Sequence, residues 1–471
     1  MYILRSNNAR AYPIRPWAML LWRTQKSPFS KVKHLLTVLA AVLIASSTQA
    51  ANYYISASGP QGSGDGSSAA NAADASSASK YRAINQSHNA PGTVIQYSPG
   101  YYQMPAGLTM FNGVTHQGAG IDKTVIQLAN GSVSSSSERM WTPGRGSISN
   151  WKFSDATIDL NSVNQPAWSN NSFRSLCFQF TLADHCTIQR IKFINIGSRG
   201  GESFPIYFGL GQSSGGTMNN NLVDSCVFSN PVRSGNTDGV TLIYMAELPG
   251  LFTVDNTNVV SNCQFTGFAT GSADFKYTQC ITAPVAINNT ATNVDALWFV
   301  EPGARGNTYF SSGRTLQVTG NTVNGGYVAR VLMHSNGHLD ADLNIQNNQV
   351  NMGQSEYSYY SARAPGGVSF EDYAGSGNGL IGNVTIQGNT FVAPSPLIRS
   401  PVAVSINPKS PSLYHLASLS IVNNHLVKFP ETGDANVGAQ WRVNPGQTGS
   451  YTNSGNVFGS SSPTPTPTPG P

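Results

Sequence analysis

The phrase VTIQGNTF at residues 384–391 alternates apolar and polar positions, breaks for two residues at a Gly and an Asn, and resumes with an apolar residue. The same grammar returns as LQVTGNTV from 316, LNIQNNQV from 343, LSIVNNHL from 419 and YTNSGNVF from 451. Period-two alternation in Val, Ile, Thr and Phe, interrupted by Gly and Asn, predicts strands and not helices. Aligned on the apolar residue after the break, the copies fall at Phe153, Phe193, Phe228, Phe265, Val323, Val350, Phe391, Leu426 and Phe458. The steps are 40, 35, 37, 58, 27, 41, 35 and 32 residues. The step of 58 is close to two ordinary ones and predicts a degenerate copy around residues 294–303.

A variable period of this size fits a solenoid whose turns share a core and carry insertions in their loops. Because the units are strands, each is one coil of a parallel β-helix, with about nine or more coils in all. The corner between two strands of a coil needs a left-handed backbone, which Asn tolerates better than other residues with a Cβ. Stacked Asn side chains also hydrogen-bond along the axis. Asn321, Asn348, Asn389, Asn424 and Asn456 occupy the corner. Cys226 and Cys263 hold it in two earlier coils. They are expected either as stacked buried thiols or as a coil-to-coil disulfide, since adjacent strands lie within bridging range.

Composition agrees with a strand-built chain. Of 471 residues only 10% are charged, and 47 are Gly. The first fifty residues hold seven Lys or Arg and no acid, followed by an apolar run from Leu35 to Ala45. That order predicts a secretory signal over 1–50, removed after Ala50, with either Met1 or Met19 as the start. The apolar run is 11 residues, short of the roughly 20 that a spanning helix needs, so no membrane span is expected after removal. Without the leader, 20 basic groups face 22 acidic ones. The apparent pI of 8.9 therefore belongs to the leader, and a nucleic-acid partner loses its electrostatic support. Five cysteines without Cys-x-x-Cys spacing exclude a small disulfide scaffold and a zinc ribbon. Residues 461–471 form a Pro/Thr linker or tail.

The stretches GTVIQYSPGYY (92–102) and VTHQGAGIDKTVI (114–126), together with the Asn repeats, resemble the pectin-lyase-like superfamily over roughly residues 51–460. The resemblance implies an all-β, right-handed, single-stranded parallel β-helix. It also implies a leader and N-terminal cap over 51–90, with a short segment near Ser76–Ile84 covering the first coil. In this superfamily ligands lie along the first sheet. Its strands are expected within 204–210, 239–247, 278–287, 296–302, 328–336, 367–374 and 401–408.

Alternation then selects a patch. With Val331 and Met333 inward, Arg330, Leu332 and His334 point out; with Val368 and Phe370 inward, Ser369, Glu371 and Tyr373 point out. Arg330, His334, Glu371 and Asp372, with Glu301 on the coil before, join a cation for substrate carboxylates to groups that move protons. Solvated charges on a polar face are the plain alternative. Asp238, in SGNTDGVTL (234–242), is similar to the Asn-Thr-Asp-Gly motif of polygalacturonases, and the resemblance implies a catalytic acid. That family's Asp-Asp pair is missing, and an inverting hydrolase needs two carboxyl groups. Arg190, Ile191 and Lys192 spell another of its motifs, but upstream. Polysaccharide lyases on this fold imply Ca2+, for which Asp340, Asp342 and Asp372 offer oxygens. Tyr357, Tyr359 and Tyr360, in the insertion 354–367, and Tyr373 provide faces for sugar rings.

Two functions follow from these readings. One is a secreted, monomeric enzyme acting on an acidic polysaccharide by β-elimination or hydrolysis, with Arg330 or His334 on the proton and Glu371 or Asp238 as partner. The other is a non-catalytic extracellular or cell-surface protein that binds polysaccharide.

Overall fold

The computed structural model describes residues 51–132, 137–143, 146–165, 173–197, 201–209, 215–229, 239–245, 247, 252–267, 278–303, 310–334, 337–353, 356–358, 361–363, 366–372, 379–395, 401–407, 414–430, 441–443 and 448–459. Two large sheets dominate, one of 11 strands and one of 25, and every strand pair in them is parallel. One coil illustrates the unit. The chain crosses the 11-stranded first sheet at Tyr327–Met333, enters the second at His338–Leu339, continues through Asp342–Gln346, turns at Asn347 and Asn348, and runs on through Gln349–Asn351. It returns to the first sheet at Gly366–Asp372, one rung along. This is a right-handed parallel β-helix.

Inward columns make the core. On the first sheet Leu108, Trp141, Phe178, Ile206, Ile243, Ile281, Trp298, Ala329, Val368, Val404 and Trp441 pair rung to rung, all buried. The buried indole of Trp298 donates its Nε1–H to the Ala283 carbonyl at 2.8 Å. Facing them, Phe193, Phe228 and Phe265 stack with ring centroids 4.7 and 5.1 Å apart.

Register corrects two sequence expectations. The partner of Phe193 in the preceding coil is Ile158, not Phe153, which pairs with Ile188 one column away. Both residues are apolar and inward, so periodicity alone does not separate them. The degenerate coil turns at Asn288 and Asn289, and its aligned residue is Ala291, between Phe265 and Val323. The stretch near 294–303 is instead its first-sheet strand, Ala296–Val300.

The corner also differs from expectation. The left-handed residue is the one before the ladder Asn: Asn288, Gly320, Asn347, Gly388, Asn423 and Gly455 have φ of 56°, 69°, 54°, 64°, 56° and 68°. The ladder Asn itself is buried and serves as a spacer of hydrogen bonds. Asn389 Oδ1 accepts from Asn348 N at 3.0 Å and from Asn348 Nδ2 at 2.8 Å. Asn348 Nδ2 also donates to the Val318 carbonyl of the coil before at 2.8 Å. The pattern runs unbroken from Asn289 to Asn456. It satisfies backbone groups that a sharp corner would otherwise bury unpaired.

Cys226 and Cys263 continue this column as free, buried thiols. Cys263 N donates to Asn289 Oδ1 at 2.9 Å, and Cys263 Sγ points to the Val223 carbonyl, where an Asn would place Nδ2. Cys186 does the same at a second corner, with its N–H on Asn221 Oδ1 at 3.0 Å. Helix Ala78–Ser87 lies over the first coils, begins with Ser77 Oγ accepting from Lys80 N, and fixes itself through Asn85 Nδ2 on the Thr109 carbonyl.

Candidate functional site

The seven expected first-sheet strands all lie in the 11-stranded sheet, as Gly201–Phe208, Gly239–Met245, Thr278–Thr282, Ala296–Val300, Tyr327–Met333, Gly366–Asp372 and Val402–Asn407. Val285–Ile287, expected to continue the third, belongs to the second sheet. Register builds one outward column from Tyr207, Tyr244, Thr282, Phe299, Arg330, Ser369 and Ser405. Tyr207 and Tyr244 stack at 4.7 Å. Their faces meet each other, so this pair is a rung-to-rung ladder.

Arg330 and Glu371 do meet, but not as a solvent-facing pair. Arg330 is 1% exposed and Glu371 2%. Arg330 Nη1 donates to Asp295 Oδ2 at 2.6 Å, and Nη2 to Glu371 Oε2 at 3.0 Å. Ser369 Oγ donates to the other Glu371 oxygen at 2.7 Å. The guanidinium lies 5.8 Å from the Phe299 ring centroid and 6.0 Å from that of Tyr327. Alternation correctly sends Arg330 away from the core, yet outward is not the same as exposed here. Burial alone would lower the pKa of Arg330; the carboxylates of Asp295 and Glu371 outweigh it and raise it above the usual arginine value. A guanidinium so held cannot take up a proton as a base, and its charge is already neutralised.

The more open pair is one column over. His334 Nε2 lies 4.0 Å from Glu301 Oε1, with 17% and 37% of the side chains exposed. The His334 N–H holds the Pro302 carbonyl at 2.7 Å, which fixes the ring at the sheet's edge. Val300 pairs with Val331, and Leu332 with Glu371, so Glu301, Leu332 and Glu371 follow one another up a single outward column. At ~4.8 Å per rung the Glu301 and Glu371 backbones are roughly 10 Å apart.

Of the other expected site residues, only Asp340 and Asp342 have described side chains, and they lie outside this patch. Asp238, Tyr359, Tyr360 and Tyr373 lie outside the described residues, as do the side chains of Tyr357 and Asp372. The Tyr357 backbone forms an antiparallel hairpin, Glu356–Ser358 with Ser361–Arg363. Asp340 and Asp342 flank the second sheet, away from Glu371. Asp342 Oδ1 accepts from Asn383 Nδ2 at 2.7 Å, and Asp340 sits 3.6 Å from His338 Nδ1. Among the described residues no three His, Cys, Asp or Glu converge as a metal site. The Arg190-Ile191-Lys192 stretch also lies on the second sheet: Arg190 forks onto Asp155 at 2.6 and 2.8 Å, and Lys192 bonds Asp122 at 3.0 Å. Two buried acids escaped the sequence reading. Asp295, immediately before an apolar strand, carried a signal; Glu247 carried none. Glu247 gathers the N–H of Val254, the N–H and hydroxyl of Ser311, and Arg314 Nε at 2.9 Å, clamping two loops.

No family model and no curated protein matches the sequence. Among solved structures the chain is similar to a tailspike protein mutant of E. coli bacteriophage HK620 in complex with pentasaccharide. That match has 15% identity and a TM-score of 0.54, over 81% of this chain and 62% of the tailspike. The likeness shows the fold, a parallel β-helix. A second HK620 tailspike mutant with pentasaccharide aligns to the β-helix at 14% identity and a TM-score of 0.53, over 81% and 63% of the two chains. The catalytic unit of a thermostable GH87 α-1,3-glucanase from Streptomyces thermodiastaticus strain HF3-3 aligns at 13% identity and a TM-score of 0.44, over 86% and 68%. The β-helix chain thus spans less than two thirds of the tailspike it matches.

Proposed function

We propose that the protein is a secreted, carbohydrate-active β-helix protein that hydrolyses a polysaccharide laid along the outward face of its first sheet. The observation that carries this reading is the column Glu301, Leu332, Glu371 with His334 beside Glu301. Two carboxyl groups about 10 Å apart at the backbone can bring their oxygens into the separation of roughly 6.5–9.5 Å that leaves room for a water in inverting hydrolysis. Glu301, the exposed member, and His334 would exchange the proton, while Arg330 and Ser369 keep the Glu371 carboxylate oriented. Hydrolysis is favoured over β-elimination because the guanidinium that elimination would use as base is held by two acids. The same neutralisation removes the cation that pointed to an acidic polymer, so neutral polysaccharides belong in the assay. The pentasaccharide in the tailspike complexes supports a saccharide ligand for this fold and nothing finer.

A second reading, binding without turnover, is favoured by one observation: Glu371 is buried and ion-paired. The mature protein, incubated with neutral and acidic polysaccharides with and without Ca2+, separates the two. New reducing ends without ultraviolet absorbance mean hydrolysis, and Glu301→Gln should abolish them. Both signals together mean a lyase and overturn the proposed chemistry. Retained polymer with no product leaves binding alone.

A further inference from the structure

A third strip of short strands runs beside the two large sheets. Ser147–Ser149, Leu182–Asp184, Thr217–Met218 and Thr253–Val254 follow one another rung to rung. Among the described residues it stops there. In the next coil the chain leaves the first sheet at Thr282 and enters the second at Val285, with Ala283 and Pro284 between them. The outer edge of Val254 therefore lacks a partner strand, and a side-chain pair takes that place. Glu247 Oε1 accepts the Val254 N–H at 3.0 Å, and Arg314 Nη1 donates to the Val254 carbonyl. Oε1 also lies 2.9 Å from Arg314 Nε, while Oε2 accepts from Ser311 N at 2.8 Å and from Ser311 Oγ at 2.7 Å. The Glu247 side chain is buried.

Ser311 and Arg314 belong to the coil of Glu301, two coils further on. They end the connection that Glu301 begins, between Ala296–Val300 on the first sheet and Thr315–Thr319 on the second. Just before Ser311 the fully buried Phe310 sits at φ 57°, a left-handed backbone that a bulky residue keeps only under constraint from its surroundings. At the near end the Pro302 carbonyl takes the His334 N–H at 2.7 Å. Gly303 packs so closely there that a Cβ on it would lie 2.7 Å from the Gly337 Cα. Both ends of the connection are thus fixed, one by backbone against the His334 turn and the other by a buried acid from two coils before. We infer that Glu247 is a positioning residue for the Glu301–His334 pair. By holding Ser311, and with it the strained Phe310, it fixes the far end of the connection whose near end sets Glu301 and the Pro302 carbonyl against His334. Loosening Ser311 lets Phe310 relax to an ordinary φ and redirects the chain that leads back to Gly303. The inference rests on the reading of Glu301 and His334 as the groups that exchange the proton.

The test compares the full mature chain with Glu247→Gln, which keeps the volume and gives up one acceptor oxygen, by amide hydrogen exchange read residue by residue with NMR. The Ser311 and Val254 amides should exchange faster as a direct effect. The deciding amide is that of His334. It should exchange about tenfold faster in the variant, while Asn389 and Asn424 on the ladder keep their wild-type rates. Ser311→Ala deletes one hydroxyl and should move His334 in the same direction by less, which covers the case in which Glu247→Gln fails to fold. An unchanged His334 amide beside a loosened Ser311 overturns the inference. So does equal loosening of His334 and the ladder, which would mean general destabilisation.

Turnover gives a second readout. Where the wild type releases reducing ends, Glu247→Gln should lower kcat by roughly ten- to a hundredfold, leave KM little changed and shift the pH profile. Asn348→Ala, destabilised at the remote ladder and assayed well below its Tm, should move none of the three. Unchanged kcat and pH profile in Glu247→Gln overturn the positioning role and leave hydrolysis standing. A wild type without turnover overturns hydrolysis instead, and exchange at His334 still decides whether Glu247 holds that contact.

Discussion

Arg330 Nη2 lies 3.0 Å from Glu371 Oε2 across one rung of the first sheet, and both side chains are buried. With Asp295 on the guanidinium's other side, one cation offsets two carboxylates from three successive coils. Removing the cation leaves two buried acids without it. Arg330→Ala should therefore cost about 3–5 kcal/mol in urea unfolding. Arg330→Met combined with Asp295→Asn and Glu371→Gln should recover most of that loss, because it removes the charges together. A single Arg330→Ala variant as stable as wild type would mean that the three ions do not share a buried site.

The Asn ladder makes a sharper claim. Asn348→Ala strips Asn321 N–H and Nδ2 of their acceptor and the Val318 carbonyl of its donor, at a cost of about 2–4 kcal/mol. Asn289→Cys should cost less than Asn289→Ala, since Cys186 and Cys263 already place Sγ near the carbonyls that an Asn amide would reach. Denaturant midpoints for the three variants give the order directly.

At the left-handed position, side chains restrict one another along the axis. A Cβ on Gly388 would sit 2.5 Å from Asn347 Oδ1, and one on Gly455 2.1 Å from Asn423 Oδ1. Gly388→Ala thus meets both backbone strain and a collision, and should destabilise by about 1–3 kcal/mol. Asn347→Gly should relieve part of it. A double-mutant cycle that came out additive would show that the contact carries no energy.

His116 provides the pH dependence. Burial lowers its pKa to about 3, from 6.5 in the unfolded chain, and its Nδ1 meets Tyr97 Oη at 2.8 Å. Below 6.5 the unfolded imidazole gains a proton that the folded one refuses, so this contribution is complete above 6.5 and lost as pH falls towards 3. The loss is of order 4 kcal/mol across the window. Tm measured from neutral to acid pH should fall, and His116→Phe should flatten the descent even if it lowers stability at neutral pH.

The cysteines should be silent in the native state. Burial pushes the Cys186 thiol up to about 12, and Cys263 and Cys280 are also raised. A thiol-reactive disulfide reagent should label none until denaturant is added, and then all five. An intact mass two hydrogens short would reveal a Cys226–Cys263 bridge instead.

Much of this architecture is legible in the chain because a parallel β-helix writes its period into the residues. The Asn columns follow from spacing and alternation, and the first-sheet strands from these together with the superfamily resemblance. Alternation reports which side of a sheet Arg330 leaves, but not what covers that side; Phe299 and Tyr327 beneath the guanidinium and Asp295 beside it depend on register between coils. Register failed at Phe153 because two inward apolar columns run side by side, and the coil at Ala291 stayed hidden because a small residue replaced the expected Phe. The division of labour at the corner, with Gly388 bending and Asn389 bonding, was invisible because both suit a turn.

Ladder continuity turns the coil into a unit of exchange. Excising residues 322–348 would join Asn321 directly to Gln349 and leave every column aligned, one rung shorter, with Asn321 accepting Asn389 as its neighbour. That deletion also removes Arg330 and abuts the coils of Asp295 and Glu371. A helix free to shed or duplicate turns elsewhere is therefore pinned at this one, so lineages that vary its length should add and lose coils on either side of the triad and keep its three rungs as a block.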